Sequence, residues 1–233
     1  MSNDPVARAT AIGSLVVSIC TGLVGYFNYG QQQLTFQEQK RQYELSQSEQ
    51  VTVTLNPHAD GSFRLTNFDF GQMGRVVQFP WRLQLSNTGN QKLSIVGYEI
   101  SSGTSPNSTN YSGIDGGMIT PEHSAANLPM TLDTGDSRSF SIMIGVRVPP
   151  AVFQALSAID DPSNRTTRQA TIALGRKGLD LYGNKVEFQE FEGGAYSLSV
   201  SPEDQKSPRF WYAAATGRGN KFTSSASTYD RPQ

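Results

Sequence analysis

The chain has 233 residues and a formal net charge of −1, with 36% hydrophobic and 17% charged residues. Near-neutrality argues against a nucleic-acid-coating protein, because such binding depends on an excess of Lys and Arg, so we expect no nucleic-acid partner. A single Cys and two His exclude an intrachain disulfide and a multi-Cys or His-rich metal site, and we expect no metal or other cofactor.

An uncharged stretch of 29 residues, 9–37, lies close to the N-terminus, and its apolar part is 9–29. As a helix, 9–29 would span about 31 Å, close to the ~30 Å hydrocarbon core of a bilayer. Tyr26, Phe27 and Tyr29 at one end suit an aromatic belt. We predict a short tip, 1–8, followed by a transmembrane helix, 9–29. A signal segment and a hydrophobic helix buried in an assembly are the alternatives.

This interpretation predicts a single-pass membrane protein in contact with lipid. Lys and Arg are almost evenly divided between the two flanks of the segment, so the side of the membrane on which the C-terminal domain lies stays open. Lys40 and Arg41 slightly favour the cytoplasmic side.

Small residues recur along the predicted helix at alternating spacings of four and three. This seam consists of Ala11, Ser14, Ser18, Thr21 and Gly25. Small side chains let membrane helices approach closely, which predicts a helix–helix interface with another copy of the chain or another membrane helix. The alternative is ordinary Ser and Gly content without an interface.

Residues 30–50 are rich in Gln and contain no Pro. Gln, Glu, Lys, Arg and Leu are good helix formers, so we predict a helical stalk that continues the first helix. A flexible linker is the alternative. The apolar positions do not keep a heptad, so the pattern does not predict a strong coiled coil.

From residue 51 the pattern changes to short alternating runs separated by Gly, Asn and Pro. Alternation with β-branched residues predicts half-buried strands. Pro149-Pro150 predicts the start of a short helix at 151–159, because proline suits the first helical turn. The predicted strands cover 51–55, 63–68, 75–85, 93–100, 139–148, 169–174, 185–188 and 195–200. This content predicts a mainly β domain, 51–200, built as a two-sheet sandwich.

The segment from Trp81 to Ile95 reads strand, Asn-Thr-Gly-Asn turn, strand. It resembles the hairpin of many immunoglobulin-like sandwiches. The layout of apolar helix, Gln/Glu-rich juxtamembrane helix and sandwich also resembles uncharacterised bacterial single-pass membrane proteins. The resemblance implies an immunoglobulin-like sandwich in an anchored binding or accessory module, and it supplies no catalytic residues.

Two segments of the second half are candidate contact sites. The long loop 101–117 is the expected partner-binding surface, because long loops on a rigid scaffold often carry function; its candidate residues are Ser105, Asn107, Asn110 and Tyr111. Residues 201–233 turn polar and predict a flexible tail. Within it, Phe210, Trp211 and Tyr212 form either a docking motif or a cluster that packs back onto the domain.

The sequence contains no clear pattern of catalytic residues. His58 lies near Asp60 and His123 follows Glu122, but both pairs sit in turn-rich segments without a marked nucleophile. The sequence therefore predicts a non-enzymatic, membrane-anchored binding or adaptor protein that presents its sandwich to an unknown protein or glycan. The alternative is a structural subunit of a filament or envelope assembly packed through the N-terminal helix, and an enzyme is the third hypothesis.

Overall fold

The structure, a computed structural model, describes residues 5–46, 48–57, 61–159, 161, 165–200 and 207–230. The chain divides into two compact units, Met1–Ser48 and Glu49–Gln233. Each unit is described by itself below.

The first unit is one long helix, α1, which runs without interruption over Pro5–Ser46. Helical structure over 30–46 agrees with the predicted stalk, since this stretch lacks Pro and is rich in helix formers. No helix in the described ranges has a segment that is long and apolar enough to cross a membrane. The transmembrane prediction for 9–29 is therefore not supported, because four Ser or Thr residues and three Gly residues dilute its apolar character.

The second unit is mainly β, as predicted. Its strands within the described ranges are β1 Val51–Pro57, β2 Arg64–Asp69, β3 Arg75–Asn87, β4 Leu93–Ser102, β5 Asp115–Ile119, β6 Met130–Leu132, β7 Ser137–Val148, β8 Val186–Glu190, β9 Tyr196–Val200, β10 Phe210–Thr216 and β11 Lys221–Ala226. Two short helices, α2 Pro150–Ser157 and α3 Thr167–Gly175, lie between β7 and β8.

The first sheet has five antiparallel strands centred on β3. Strand β7 pairs with β3 along almost its whole length. On the other edge of β3, β1 pairs with its C-terminal half and β2 with its N-terminal half. Strand β5 completes the sheet beside β7. The 13-residue β3 can therefore hold three neighbours in place.

The second sheet has the order β11-β10-β4-β6, and β8 and β9 form a separate two-stranded sheet. Residues that alternate along β3 and β7 pack with residues of β4 and β10 in one hydrophobic core. The rings of Trp81 and Phe210 meet edge to face in this core, 5.5 Å apart. Two antiparallel sheets thus share a buried interior.

The predicted strand 169–174 is wrong, since these residues lie in α3. Thr166 caps the helix by accepting a hydrogen bond from the Gln169 backbone N–H at 3.1 Å. Ala170 and Leu174, one turn apart, are both buried. Both residues therefore lie on the buried face of the helix, although strand alternation would also have placed them on one face.

The predicted flexible tail is also wrong where the structure describes it. Residues 210–216 form β10, which lies between β4 and β11 inside the second sheet. The hairpin of β10 and β11 supplies half of the strands of that sheet. The domain therefore extends well beyond residue 200.

Candidate functional site

A groove of about 550 Å³ lies on the first sheet. We call it the basic groove, because Arg64, Arg82 and His123 contribute to its walls and no described Asp or Glu does. Its remaining lining residues are Gly61, Ser62, Pro80, Ile119, Thr120, Pro121, Ser139, Phe140, Ser141 and Met143.

Strand register places these residues on the outer face of the sheet. In the pairing of β3 with β7, Arg82 lies opposite Ser141 and Pro80 opposite Met143. The alternate residues Trp81 and Leu83 point into the core, where both are buried. The outer face therefore offers a floor of Pro80 and Met143 flanked by arginine and serine.

His123 reaches the groove from a tight turn after β5. The turn is closed by hydrogen bonds from the Thr120 N–H to the Ser124 carbonyl, 2.8 Å, and from the His123 N–H to the Thr120 carbonyl, 3.0 Å. His123 adopts a φ of +63°, a conformation uncommon outside glycine. The turn holds the imidazole at one wall of the groove.

The two groove arginines are not engaged in ion pairs, unlike several other cations of the domain. Arg75 pairs with Asp69 at 2.7 Å and Arg176 with Glu190 at 2.8 Å. Within the described ranges, neither Arg64 nor Arg82 has an ion pair or side-chain hydrogen bond. Both guanidinium groups are exposed and retain their donors for an external acceptor.

Neutral polar side chains continue the same outer face beyond the groove. Gln84 donates to the Ser137 hydroxyl at 2.7 Å, and Ser86 shares a 2.8 Å hydrogen bond with Ser137. Thr54 lies opposite Gln84 in the neighbouring strand β1. The groove therefore opens onto a row of hydroxyl and amide groups.

Three of the four candidate residues of the predicted partner loop lie at the surface. Ser105, Asn107 and Asn110 are exposed, and the Asn107 N–H donates to the Ser101 hydroxyl at 2.9 Å. Tyr111 instead folds inward, since its hydroxyl donates to the Gly145 carbonyl at 2.6 Å.

Arg147 packs over the Tyr111 ring at 4.7 Å. Tyr111 is therefore an anchor of the loop. The partner-binding role of the exposed loop residues stays a prediction.

The aromatic cluster of the predicted tail packs into the domain. Phe210 and Tyr212 are buried in the core, and Trp211 donates through its indole N–H to the Gly103 carbonyl at 3.0 Å. The alternative in which this cluster packs back onto its own domain is thus the observed one, and the docking motif is wrong.

The predicted helix seam lies in α1. Thr21 and Gly25 are exposed there, while the side chains of Ala11, Ser14 and Ser18 lie outside the described part of the structure. The predicted interface stays a prediction.

Of the two histidine pairs, the structure describes only that of His123 and Glu122. His58 and Asp60 lie outside the described residues. Glu122 is exposed, and a hydrogen bond with Thr120 holds its pKa below the usual value. In the described part of the chain, no group of three or more His, Cys, Asp or Glu residues could hold a metal ion.

Arg64 and Arg82 were not among the site residues predicted from the sequence. Each stands at an alternating position of a predicted strand, which indicated only a solvated face. Their proximity depends on the pairing of β2 with β3 and of β3 with β7, and strand alternation does not specify which strands pair.

Comparison with known proteins adds no relative. No family model matches this sequence, no curated protein matches it, and no solved structure matches its fold.

Proposed function

We propose that this protein is a non-enzymatic binding protein that holds an acidic oligosaccharide in the basic groove. The observation that carries the proposal is the pair of arginines, Arg64 and Arg82, which line the groove without an acidic partner in the described chain. An immunoglobulin-like arrangement of the two sheets is part of the same proposal.

Charge and geometry favour an acidic group as the first contact. A guanidinium offers a planar fork of donors that matches a carboxylate or a sulfate in two-point contact. Among the described residues, none that lines the groove carries a carboxylate that would compete for the arginines or repel the ligand.

The neutral part of the surface favours a carbohydrate over an acidic peptide. Ser62, Ser139 and Ser141 line the groove, and the row around Ser137 extends this supply of hydroxyls. Sugar hydroxyls can donate to and accept from these groups, while the apolar floor can contact a ring face. The paired strands β3 and β7 keep their backbone groups in the ladder, so an added peptide would gain no main-chain pairing there.

Titration calorimetry of the full chain with tetragalacturonate tests the proposal. We expect saturable binding, and we expect Arg64→Gln and Arg82→Gln each to weaken it about tenfold, because each removes a charge-assisted hydrogen bond. Affinity should also fall as salt rises. Arg138→Gln, which changes an exposed arginine that does not line the groove, is the matched control and should bind normally.

Two results would contradict this function. The first is unchanged binding in the Arg64→Gln/Arg82→Gln double variant. The second is equal affinity for neutral maltotetraose or for tetraglutamate, which would show that the surface does not select an acidic sugar.

A second candidate function rests on α1. Tyr29, Phe36 and Tyr43 are each more than 60% exposed, and their spacing of seven residues keeps them on one side of the helix. Exposed aromatic residues in such a row favour association with copies of the same helix. This observation supports the structural-subunit alternative, in which the chain assembles through α1.

A further inference from the structure

A second concave site lies in the same unit and shares no lining residue with the basic groove. It has a volume of about 300 Å³, at the small end of the usual range for ligand sites. Its walls combine Tyr182, Tyr196 and Tyr229 with Leu174, Leu181 and Leu198. We call it the tyrosine cavity.

The aromatic rings meet at an angle. The centroids of Tyr182 and Tyr229 are 6.1 Å apart, and their planes are inclined by 60°. The Tyr182 hydroxyl shares a 2.5 Å hydrogen bond with Thr228, which fixes one ring. Tyr196 stands on β9 and packs against Phe188 of the neighbouring strand, with centroids 5.8 Å apart.

Two carboxylates line the cavity, those of Asp180 and Asp230, and Asp180 is the buried one, at 6% exposed. It accepts hydrogen bonds from the Tyr182 N–H at 2.9 Å, from the Asn184 N–H at 2.7 Å, from the Asn184 side-chain amide at 2.6 Å, and from the Tyr229 hydroxyl. Both of its oxygens therefore have donors.

Asp180 nevertheless lacks a cation. No Lys, Arg or His of the described chain forms an ion pair with it. The second carboxylate of the cavity, Asp230, does have a cation, since Arg209 pairs with it at 3.5 Å. A buried negative charge without a counter-charge is costly, and a cationic ligand would remove that cost.

The hydrogen bonds at Asp180 restrict which cation fits. A primary ammonium carries three N–H donors that need acceptors, but both oxygens of Asp180 are already engaged. A quaternary ammonium has no N–H group and is attracted by negative charge and by the faces of aromatic rings. We propose that the tyrosine cavity binds a small quaternary ammonium compound, with Asp180 supplying the charge and the tyrosines supplying ring faces.

The protonation state of Asp180 should respond to a bound cation. Burial raises the pKa of Asp180, whereas the hydrogen bonds from Asn184 and Tyr182 act in the opposite direction. A bound cation stabilises the ionised form. We therefore expect ligand binding to lower this pKa and to weaken when the pH falls below it.

Three probes test the proposal on the full chain, with binding followed by titration calorimetry and by amide NMR shifts. Choline is the quaternary ammonium, 3,3-dimethyl-1-butanol is its uncharged isostere, and ethanolamine is the primary amine. We expect choline to bind at least about tenfold more tightly than either of the others, because only choline combines charge with the absence of N–H donors.

Two variants locate the site. Tyr196→Leu keeps an apolar wall but removes a ring face, and should weaken choline about fivefold while leaving the weak binding of the isostere unchanged. Tyr26→Leu, which changes an exposed tyrosine of α1, is the matched control and should bind choline normally.

Asp180→Asn should abolish the preference for choline over the isostere. In this variant an amide would face the N–H donors of Asn184. If the variant fails to fold for that reason, the comparison with Tyr196→Leu still tests the proposal. Equal binding of choline and its isostere, tighter binding of ethanolamine, or no binding of choline would each overturn the proposal. None of these results bears on the basic groove, which is tested with a different ligand.

Discussion

At the residue scale, buried tyrosine hydroxyls differ in whether they find an acceptor. The Tyr111 hydroxyl donates to the Gly145 carbonyl at 2.6 Å, and burial raises the pKa of Tyr111 to about 12, so it remains a donor at neutral pH. The Tyr212 hydroxyl is buried and has no hydrogen-bond partner among the described residues. The same chemical group should therefore have opposite effects on stability at the two positions.

We predict that Tyr212→Phe raises the free energy of unfolding by about 1 kcal/mol, because it removes a polar atom that lost its water without gaining a partner. Tyr111→Phe should lower it by about 1 kcal/mol, because the Gly145 carbonyl then loses its donor. Urea denaturation followed by circular dichroism measures both changes.

Each variant serves as the control for the other, since both lose one oxygen from a tyrosine. A Tyr212→Phe variant that is destabilised as much as Tyr111→Phe would show that the Tyr212 hydroxyl has an acceptor after all.

Residue type alone did not reveal either concave site. Asp180, Tyr182 and Tyr229 are separated by up to 49 positions, and none forms a recognisable motif with its neighbours. The residues that the sequence did single out, such as Tyr111 and Phe210, were prominent because they are aromatic, and the structure uses both for packing.

At the scale of single elements, alternation predicted most strands well. β3, β4 and β7 agree within about two residues with their predicted ranges, because each buries every second side chain over much of its length. Segment 169–174 failed because the buried Ala170 and Leu174 fit both strand alternation and one face of a helix. The interaction that decides between the two is the cap by Thr166. A Thr acts as a cap only where a helix begins, so the residue alone does not predict the helix.

The exposed aromatic row of α1 leads to a prediction about self-association. Tyr29→Gln, Phe36→Gln and Tyr43→Gln combined should shift the full chain toward monomer, because they remove the exposed aromatic row. Light scattering after size-exclusion chromatography, over a range of protein concentrations, measures the change in mass.

The matched control is Phe27→Gln with Leu34→Gln, a pair that lies about 200° around the helix from the row and is similarly exposed. It should leave the oligomer intact. A wild-type chain that stays monomeric at high concentration would contradict assembly through α1.

At the scale of the whole domain, β10 shows why the fold class was predictable and its extent was not. Strand content follows from local alternation, but the partners of β10 are β4, more than a hundred residues earlier, and β11. In the sequence, residues 201–206 and the polar residues on either side of 210–212 favoured a flexible tail. Only the pairing with β4 shows that Phe210 and Tyr212 belong to the core.

The start and the end of the second unit are also tied together. Glu49, which precedes β1, accepts hydrogen bonds from Thr216 at 2.5 Å and from Asn220 at 2.9 Å. Both donors belong to the β10–β11 hairpin or its turn. Loss of this hairpin would therefore expose core residues and break the link to Glu49.

We predict that a chain truncated after Val200 does not fold cooperatively. The truncation removes the buried Phe210 and Tyr212 and leaves β4 with an unpaired edge, and removal of large core aromatics costs about 3–5 kcal/mol each. That loss is a large part of the roughly 5–15 kcal/mol stability of a domain. Thermal denaturation and limited proteolysis measure the outcome, and a chain ending at Asp230 is the control that should melt cooperatively. A sharp melting transition in the shorter chain would show that the core closes without β10, and would restore the picture of a domain that ends near residue 200.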